Sequence, residues 1–289
     1  RQPGSAFKLF VYLAAMRAGW TPDSKIDDEP VTIGAWSPVN SDGVYRGEIT
    51  LREAFARSSN AATVRLSERI GRANVIRAAR DLGISSPLPD KPSLALGTGG
   101  VTLLQLTAAY AAIYSGRYPV APRGLPDEPD EGTIAGFFAP RGALDETRDR
   151  SPMLDLLWSA ANTGTGRRAA LWTPTFGKTG TTQDNRDALF VGFAGDLVVG
   201  VWVGRDDNKS LGKISGGTVP AKIWRDFMSS ALAVDHRSGP TIPRGYRNRP
   251  RPEREEPAKH PSPLPDDWSE ATKAFREIAK SIEKMLEER

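Results

Sequence analysis

Residues 7–18 form an apolar run stopped by Gly19, and they predict a helix. Sequence rich in Pro, Asp and Gly follows over residues 20–45 and predicts loops. Thr50-Leu51-Arg52-Glu53 has the spacing of a capping box, which starts a helix toward Arg57. Two further helices are expected over residues 61–70 and 73–82, each stopped at a glycine. Thr102 and Gln105 open a strongly apolar helix that ends near Ser115-Gly116. Residues 119–150 carry Pro, Gly and charged side chains with little periodicity, which predicts an extended surface excursion. Ser151-Pro152 then caps a helix through Ala161.

The pattern changes after Gly164. Residues 178–182 read as a short strand, while residues 188–193 and 197–203 are β-rich runs joined by Ala194-Gly195-Asp196, a hairpin signal. Three antiparallel strands in chain order are expected. Residues 220–233 predict a helix that covers this sheet with Ile223, Trp224, Phe227 and Met228 on one side. The density of Pro and Arg over residues 239–265 predicts a linker. In residues 266–289, Trp268, Phe275 and Ile282 recur every seven positions, as do Ala271, Ile278 and Met285. This is the seam of an amphipathic helix, suited to docking a partner helix or to folding back on the chain's own surface.

With 289 residues, 39% of them hydrophobic and 26% charged, the chain can bury a substantial core. No apolar run approaches the roughly 20 residues needed to cross a bilayer. The lack of cysteine excludes a thiolate nucleophile, a disulfide framework and cysteine-based metal sites. The two histidines, His236 and His260, stand far from other candidate ligands, which argues against a histidine metal centre or triad. Neither a metal nor an organic cofactor is expected. The net charge of +4 owes much to the arginines between Arg237 and Arg254. They read as a solvated linker, and no nucleic-acid partner is expected.

A serine activated by lysine is the nucleophile that remains. Ser5-Ala6-Phe7-Lys8 supplies one, because residues three apart share a helix face and Lys8 can then bring its amine up to the Ser5 hydroxyl. Ser5 in a first turn also has free N–H groups nearby to stabilise negative charge. Chance produces a Ser-x-x-Lys spacing about once in a chain of this length, so the motif needs support. Ser58-Ser59-Asn60, between two helices, offers an exposed hydroxyl and amide. Lys178-Thr179-Gly180 occurs by chance in roughly one such chain in ten. It adds a cation and hydroxyls on a strand, with Gly180 leaving access and Thr181 offering an N–H to a developing oxyanion.

The ordered set S-x-x-K, S-x-N and K-T-G resembles the active-site triplet of penicillin-binding proteins and serine β-lactamases, a known signature. Longer stretches resemble the transpeptidase domain of class A, bifunctional penicillin-binding proteins: Trp36-Ser37-Pro38-Val39-Asn40, Gly47-Glu48-Ile49-Thr50-Leu51-Arg52, Pro92-Ser93-Leu94-Ala95-Leu96-Gly97, Gly164-Thr165-Gly166 and Gln183-Asp184-Asn185-Arg186-Asp187-Ala188. The similarity covers about residues 1 to 230.

The resemblance implies an α+β fold of the penicilloyl-serine transferase, serine β-lactamase-like kind. It implies that Ser5 attacks the penultimate D-Ala of a D-Ala-D-Ala stem peptide, that Lys8 takes its proton, that Ser58 relays a proton to the leaving group, and that Asn60 orients substrate and Lys8. Lys178, Thr179 and Thr181 would bind the terminal carboxylate, with the N–H groups of Ser5 and Thr181 as the oxyanion hole. Peptidoglycan stem peptides and β-lactams are the implied ligands, and the outer face of a bacterial inner membrane, or its periplasm, the implied location. A hydrolytic relative (carboxypeptidase or β-lactamase) and a non-catalytic binding fragment are the alternatives. The expected organisation is a D,D-transpeptidase domain over residues 1–236, a linker over 237–265 and the helix over 266–289. The family places sheet strands, a glycosyltransferase domain and a membrane anchor before the serine. The chain is therefore expected to be a fragment or part of a split protein, short of strands that pack beside residues 197–203. One smaller departure is Leu9, where relatives commonly carry proline.

Overall fold

Helix α1 (Lys8–Arg17) is buried from Lys8 through Met16 in a computed structural model that describes residues 1–122, 142–234 and 239–241. An apolar helix without a polar stripe is stable only inside a core. Helices α2 (Leu51–Arg57), α3 (Asn60–Ile70), α4 (Arg72–Asp81), α5 (Leu103–Ser115) and α6 (Ser151–Asn162) form the helical region around it. Local chemistry sets their starts: the Thr50 hydroxyl accepts from the Glu53 N–H at 3.1 Å, and the Thr102 hydroxyl from the Gln105 N–H at 3.1 Å. Each such cap contributes about 1 kcal/mol.

Strands β5 (Phe176–Thr181), β6 (Asp187–Ala194) and β7 (Leu197–Gly204) form an antiparallel sheet in that order, with Lys178 opposite Val191 and Phe190 opposite Val201. The chain is thus α+β. Strand β6 is buried on both faces, which explains its continuous apolar sequence. Leu189, Val191 and Phe193 enter the main core, whereas Phe190 and Ala194 enter a smaller core beneath α7 (Val219–Val234). There Trp224 packs edge-on against Phe190, with ring centres 5.1 Å apart, and donates to the Val199 carbonyl at 3.1 Å. Strand β7 is half-buried along its length.

Three expectations need correction. Residues 20–45 are not all loop: β1 (Lys25–Asp27) pairs antiparallel with β2 (Glu48–Thr50), a partner too distant for local pattern to reveal. The apolar residues of α7 do not all face the sheet. Trp224 and Met228 are buried, but Ile223 and Phe227 are 40% and 56% exposed, because neighbouring positions on a helix diverge by about 100°. Within the expected surface excursion, residues 123–141 lie outside the described residues, yet its end is structured. Strand β4 (Gly142–Ala143) pairs with β3 (Arg117–Tyr118), and a wide turn over Glu146–Arg150 buries Asp149 against Arg17 and Arg148. Apart from residues 239–241, the linker and the C-terminal helix expected from sequence also lie outside the described residues.

Candidate active site

The chain enters the core through a tight turn. Gly4–Phe7 form a 3-10 turn that leads directly into α1, placing Ser5, half-buried, one turn before Lys8. Gly4 has φ +53°, and a Cβ there would collide with the Thr181 carbonyl. At Gly97, φ +73°, a Cβ would likewise collide with the carbonyl of Gly4, and the Gly4 N–H donates to the Gly97 carbonyl at 3.3 Å. The Tyr110 hydroxyl holds the turn from the core side by donating to the Ala6 carbonyl at 3.0 Å. Glycine is the residue that tolerates both the positive φ and the backbone approach.

Lys8 is fully buried, and its amine does not meet Ser5. It lies 2.6 Å from the Ser58 carbonyl, 3.2 Å from the Ser58 hydroxyl, 3.1 Å from the Ser59 carbonyl and 2.8 Å from Oδ1 of Asn60. The sequence therefore brings Lys8, Ser58 and Asn60 into one cluster, while the expected Lys8–Ser5 hydrogen bond is not formed. Ser58 closes α2 in the left-handed conformation, φ 60°, which turns the chain sharply before α3. Burial and the nearby charge of Lys178 push the Lys8 ammonium well below the usual lysine range, with the Asp28 carboxylate acting in the opposite sense. An amine poised in this way is a usable general base. Its two closest acceptors, the Ser58 carbonyl and Asn60 Oδ1, can take the two hydrogens of the neutral form, leaving the lone pair for a serine proton.

Strand β5 supplies the second buried lysine. Lys178 is fully buried, its amine 5.7 Å from the Phe55 ring centre and 3.3 Å from both the carbonyl and the hydroxyl of Thr179. Burial brings its ammonium down to about 7. The Thr179 hydroxyl is 2.7 Å from that of Thr165, and the Thr181 hydroxyl accepts from the Gly216 N–H at 3.0 Å. Thr182 donates its N–H to Asp187, so the alternation of an antiparallel ladder turns the Thr181 N–H away from β6, toward the edge where Gly4 lies. Gly180 packs against the entry turn of the chain. A Cβ there would collide with the Pro3 carbonyl, so the missing side chain makes room for the chain's own entry turn.

Sequence reasoning missed a buried layer behind the Ser58-Ser59-Asn60 turn. The Asn40 carboxamide oxygen accepts from the N–H groups of Asn60 at 2.7 Å and Ala61 at 3.1 Å, and the Asn60 side-chain amide donates to the Val39 carbonyl at 2.8 Å. Ser59 donates its hydroxyl to Asp28 and caps α3 by accepting from Ala62 at 3.0 Å. The motif stretch ending in Val39-Asn40 carried a signal for two of these residues; nothing local pointed to Asp28. Thr165 likewise sat in a matched stretch without an assigned part.

Residues 1–229 match the family described as the penicillin binding protein transpeptidase domain. Penicillin-binding protein 1A of Neisseria meningitidis serogroup A is 38% identical over 265 residues, which cover 85% of this chain and 33% of that protein. Penicillin-binding protein 1A of Aquifex aeolicus is 41% identical over 239 residues, 79% of this chain and 33% of that protein. The chain thus spans about a third of the length of the curated relatives it matches. Among solved structures, PonA1 from Mycobacterium tuberculosis superposes with a TM-score of 0.69 at 24% identity, over 84% of this chain and 72% of that one. Penicillin-binding protein 1A from Haemophilus influenzae gives 0.69 at 25% identity, over 84% and 44%.

Proposed function

The chain belongs to the penicillin-binding protein transpeptidase family, and from that premise we propose that it is a serine D,D-transpeptidase that cross-links peptidoglycan stem peptides and is acylated by penicillin. Ser5 Oγ attacks the carbonyl carbon of the penultimate D-Ala as its proton passes to Lys8. The oxyanion is received by the N–H groups of Ser5 and Thr181. Collapse breaks the amide bond, and the departing D-Ala amine takes a proton from Lys8 through the Ser58 hydroxyl. The amine of a second stem peptide then attacks the Ser5 ester, forms the new amide and returns a proton to Ser5 Oγ. Asn60 orients the substrate, and Lys178, Thr179 and Thr181 receive its terminal carboxylate.

The observation that carries this reading is the cluster of Lys8 with Ser58 and Asn60, one turn after Ser5 and beside the cationic strand of Lys178. A β-lactam presents a strained amide and a carboxylate to the same groups; PonA1 from Mycobacterium tuberculosis has been solved in complex with penicillin V, and the superposition gives a TM-score of 0.68. Labelled penicillin tests the reading: persistent covalent label supports the transpeptidase, rapid turnover a hydrolase, and no label a binding fragment.

In this proposal the enzyme works on the outer side of the bacterial inner membrane, where its polymer substrate lies. Among the described residues, no helix is long and apolar enough to cross a membrane. The seven-residue repeat over residues 266–289 supports a role in docking a partner helix. Deleting it should abolish a complex seen in pull-down or sedimentation while leaving acylation intact.

A further inference from the structure

Asp28 uses only one of its two carboxyl oxygens in hydrogen bonds. It is fully buried, and its Oδ1 accepts from the Asn40 amide at 2.9 Å and from the Ser59 hydroxyl. Oδ2 has no hydrogen bond; Arg46 Nη1 stands 3.8 Å away, with its guanidinium already paired to Asp42. An asparagine at position 28 could accept the same two bonds on its carbonyl oxygen at a smaller desolvation cost. The two donors also tie Asp28 to the site. Ser59 is bonded to Asp28 through its hydroxyl and to Lys8 through its carbonyl, and Asn40 holds the backbone of Asn60.

Resting on the transpeptidase reading, we propose that Asp28 and Asn40 are positioning residues of the reaction: Asp28 holds Ser59 and Asn40, Asn40 holds the backbone of Asn60, and together they lock the Ser58-Ser59-Asn60 turn onto Lys8. Lys8 faces Lys178 from β5 and Asp28 from the segment after β1. Asp28 in turn faces Arg46 from the segment before β2, and Lys8 and Tyr12 from α1; Tyr12 is kept neutral by burial. Arg46 also faces Asp42 and, on α2, Glu53. In this array the negative charge of Asp28 favours the protonated amine, so its removal frees the Lys8 base at lower pH. Asn40 is uncharged and acts on placement alone.

The test is the second-order rate of acylation by penicillin as a function of pH, with thermal melts of each variant of the full chain. Asp28→Asn should move the rising limb of the profile to lower pH. Arg46→Gln, which leaves Asp28 less compensated, should move it to higher pH. Asn40→Ala should slow acylation about a hundredfold without moving the limb, as expected for a misplaced reacting group. Folded Asp28→Asn with an unmoved limb, or a limb moved to higher pH, overturns the inference. Should Asp28→Asn fail to fold, an unmoved limb in Arg46→Gln overturns it equally. A wild-type chain that takes no label overturns the transpeptidase reading and this inference with it, whereas a labelled wild type with unmoved limbs overturns the inference alone.

Discussion

The amine of Lys8 lies 2.8 Å from Oδ1 of Asn60 and makes no hydrogen bond to Ser5, its neighbour one turn earlier. Catalytic hydrogen bonds are often long until substrate closes them. Lys8→Ala should therefore reduce the acylation rate by about 10² to 10⁴, the usual contribution of a general base. Lys8→Arg should not restore it, because a guanidinium stays protonated. Stopped-flow acylation checks both, and a Lys8→Ala rate equal to wild type would remove the amine from the mechanism.

Lys178 makes a prediction about the falling limb of the same profile. Burial brings its ammonium down to about 7, so the charge proposed to attract a substrate carboxylate is present below that pH and lost above it. Acylation efficiency should fall as pH rises through about 7, and Lys178→Arg, which keeps its charge, should push the fall to higher pH. The stability consequence has the opposite sense. The folded chain releases this proton near 7 and the unfolded chain near 10.5, so between those values the unfolded state binds more protons and this group favours folding as pH rises. A Lys178→Arg profile that falls at the same pH as wild type would contradict the assignment.

Gly4 and Gly97 should be intolerant of alanine. Each has a positive φ and a backbone carbonyl where the new methyl must go, Thr181 in the first case and Gly4 in the second. Gly4→Ala should displace Ser5 and slow acylation about a hundredfold, together with a lower melting temperature. Normal labelling kinetics in Gly4→Ala would show that the turn does not position the nucleophile.

Much of the frame could be read from local pattern, because capping residues and glycine stops act over a few positions. Thr50 and Thr102 cap as their spacing predicts, and the hairpin of β6 and β7 turns at Ala194-Gly195-Asp196. What escaped depends on distant pairing. Strand β1 is three residues long and exists only against β2, and Asp149 is buried by arginines that local pattern cannot bring to it. The site follows the same division. Its motifs named Lys8, Ser58, Asn60 and Lys178, but the polar layer formed by Asp28, Asn40 and Ser59 is assembled from three separate segments. The purpose of Gly180 also needed the fold, since only there does the Pro3 carbonyl come against it.

Thr165 should act on the carboxylate subsite without touching the base. Its hydroxyl is 2.7 Å from that of Thr179, so Thr165→Val keeps the shape but removes the partner. A half-exposed hydrogen bond is worth about 1 kcal/mol or less, so binding should weaken roughly threefold to fivefold. Penicillin concentration dependence separates this from chemistry: the half-saturating concentration should rise while the limiting acylation rate stays the same. A fall confined to the limiting rate would instead place Thr165 in the chemical step.

The central claim is that Ser5 is the residue acylated, and mass spectrometry of the penicillin-treated chain after trypsin tests it directly. The peptide from Gln2 to Lys8 should carry the mass of one intact penicillin, with fragmentation placing it on Ser5, and Ser5→Ala should carry none. An adduct on any other residue, or none on the wild-type chain, would contradict the account.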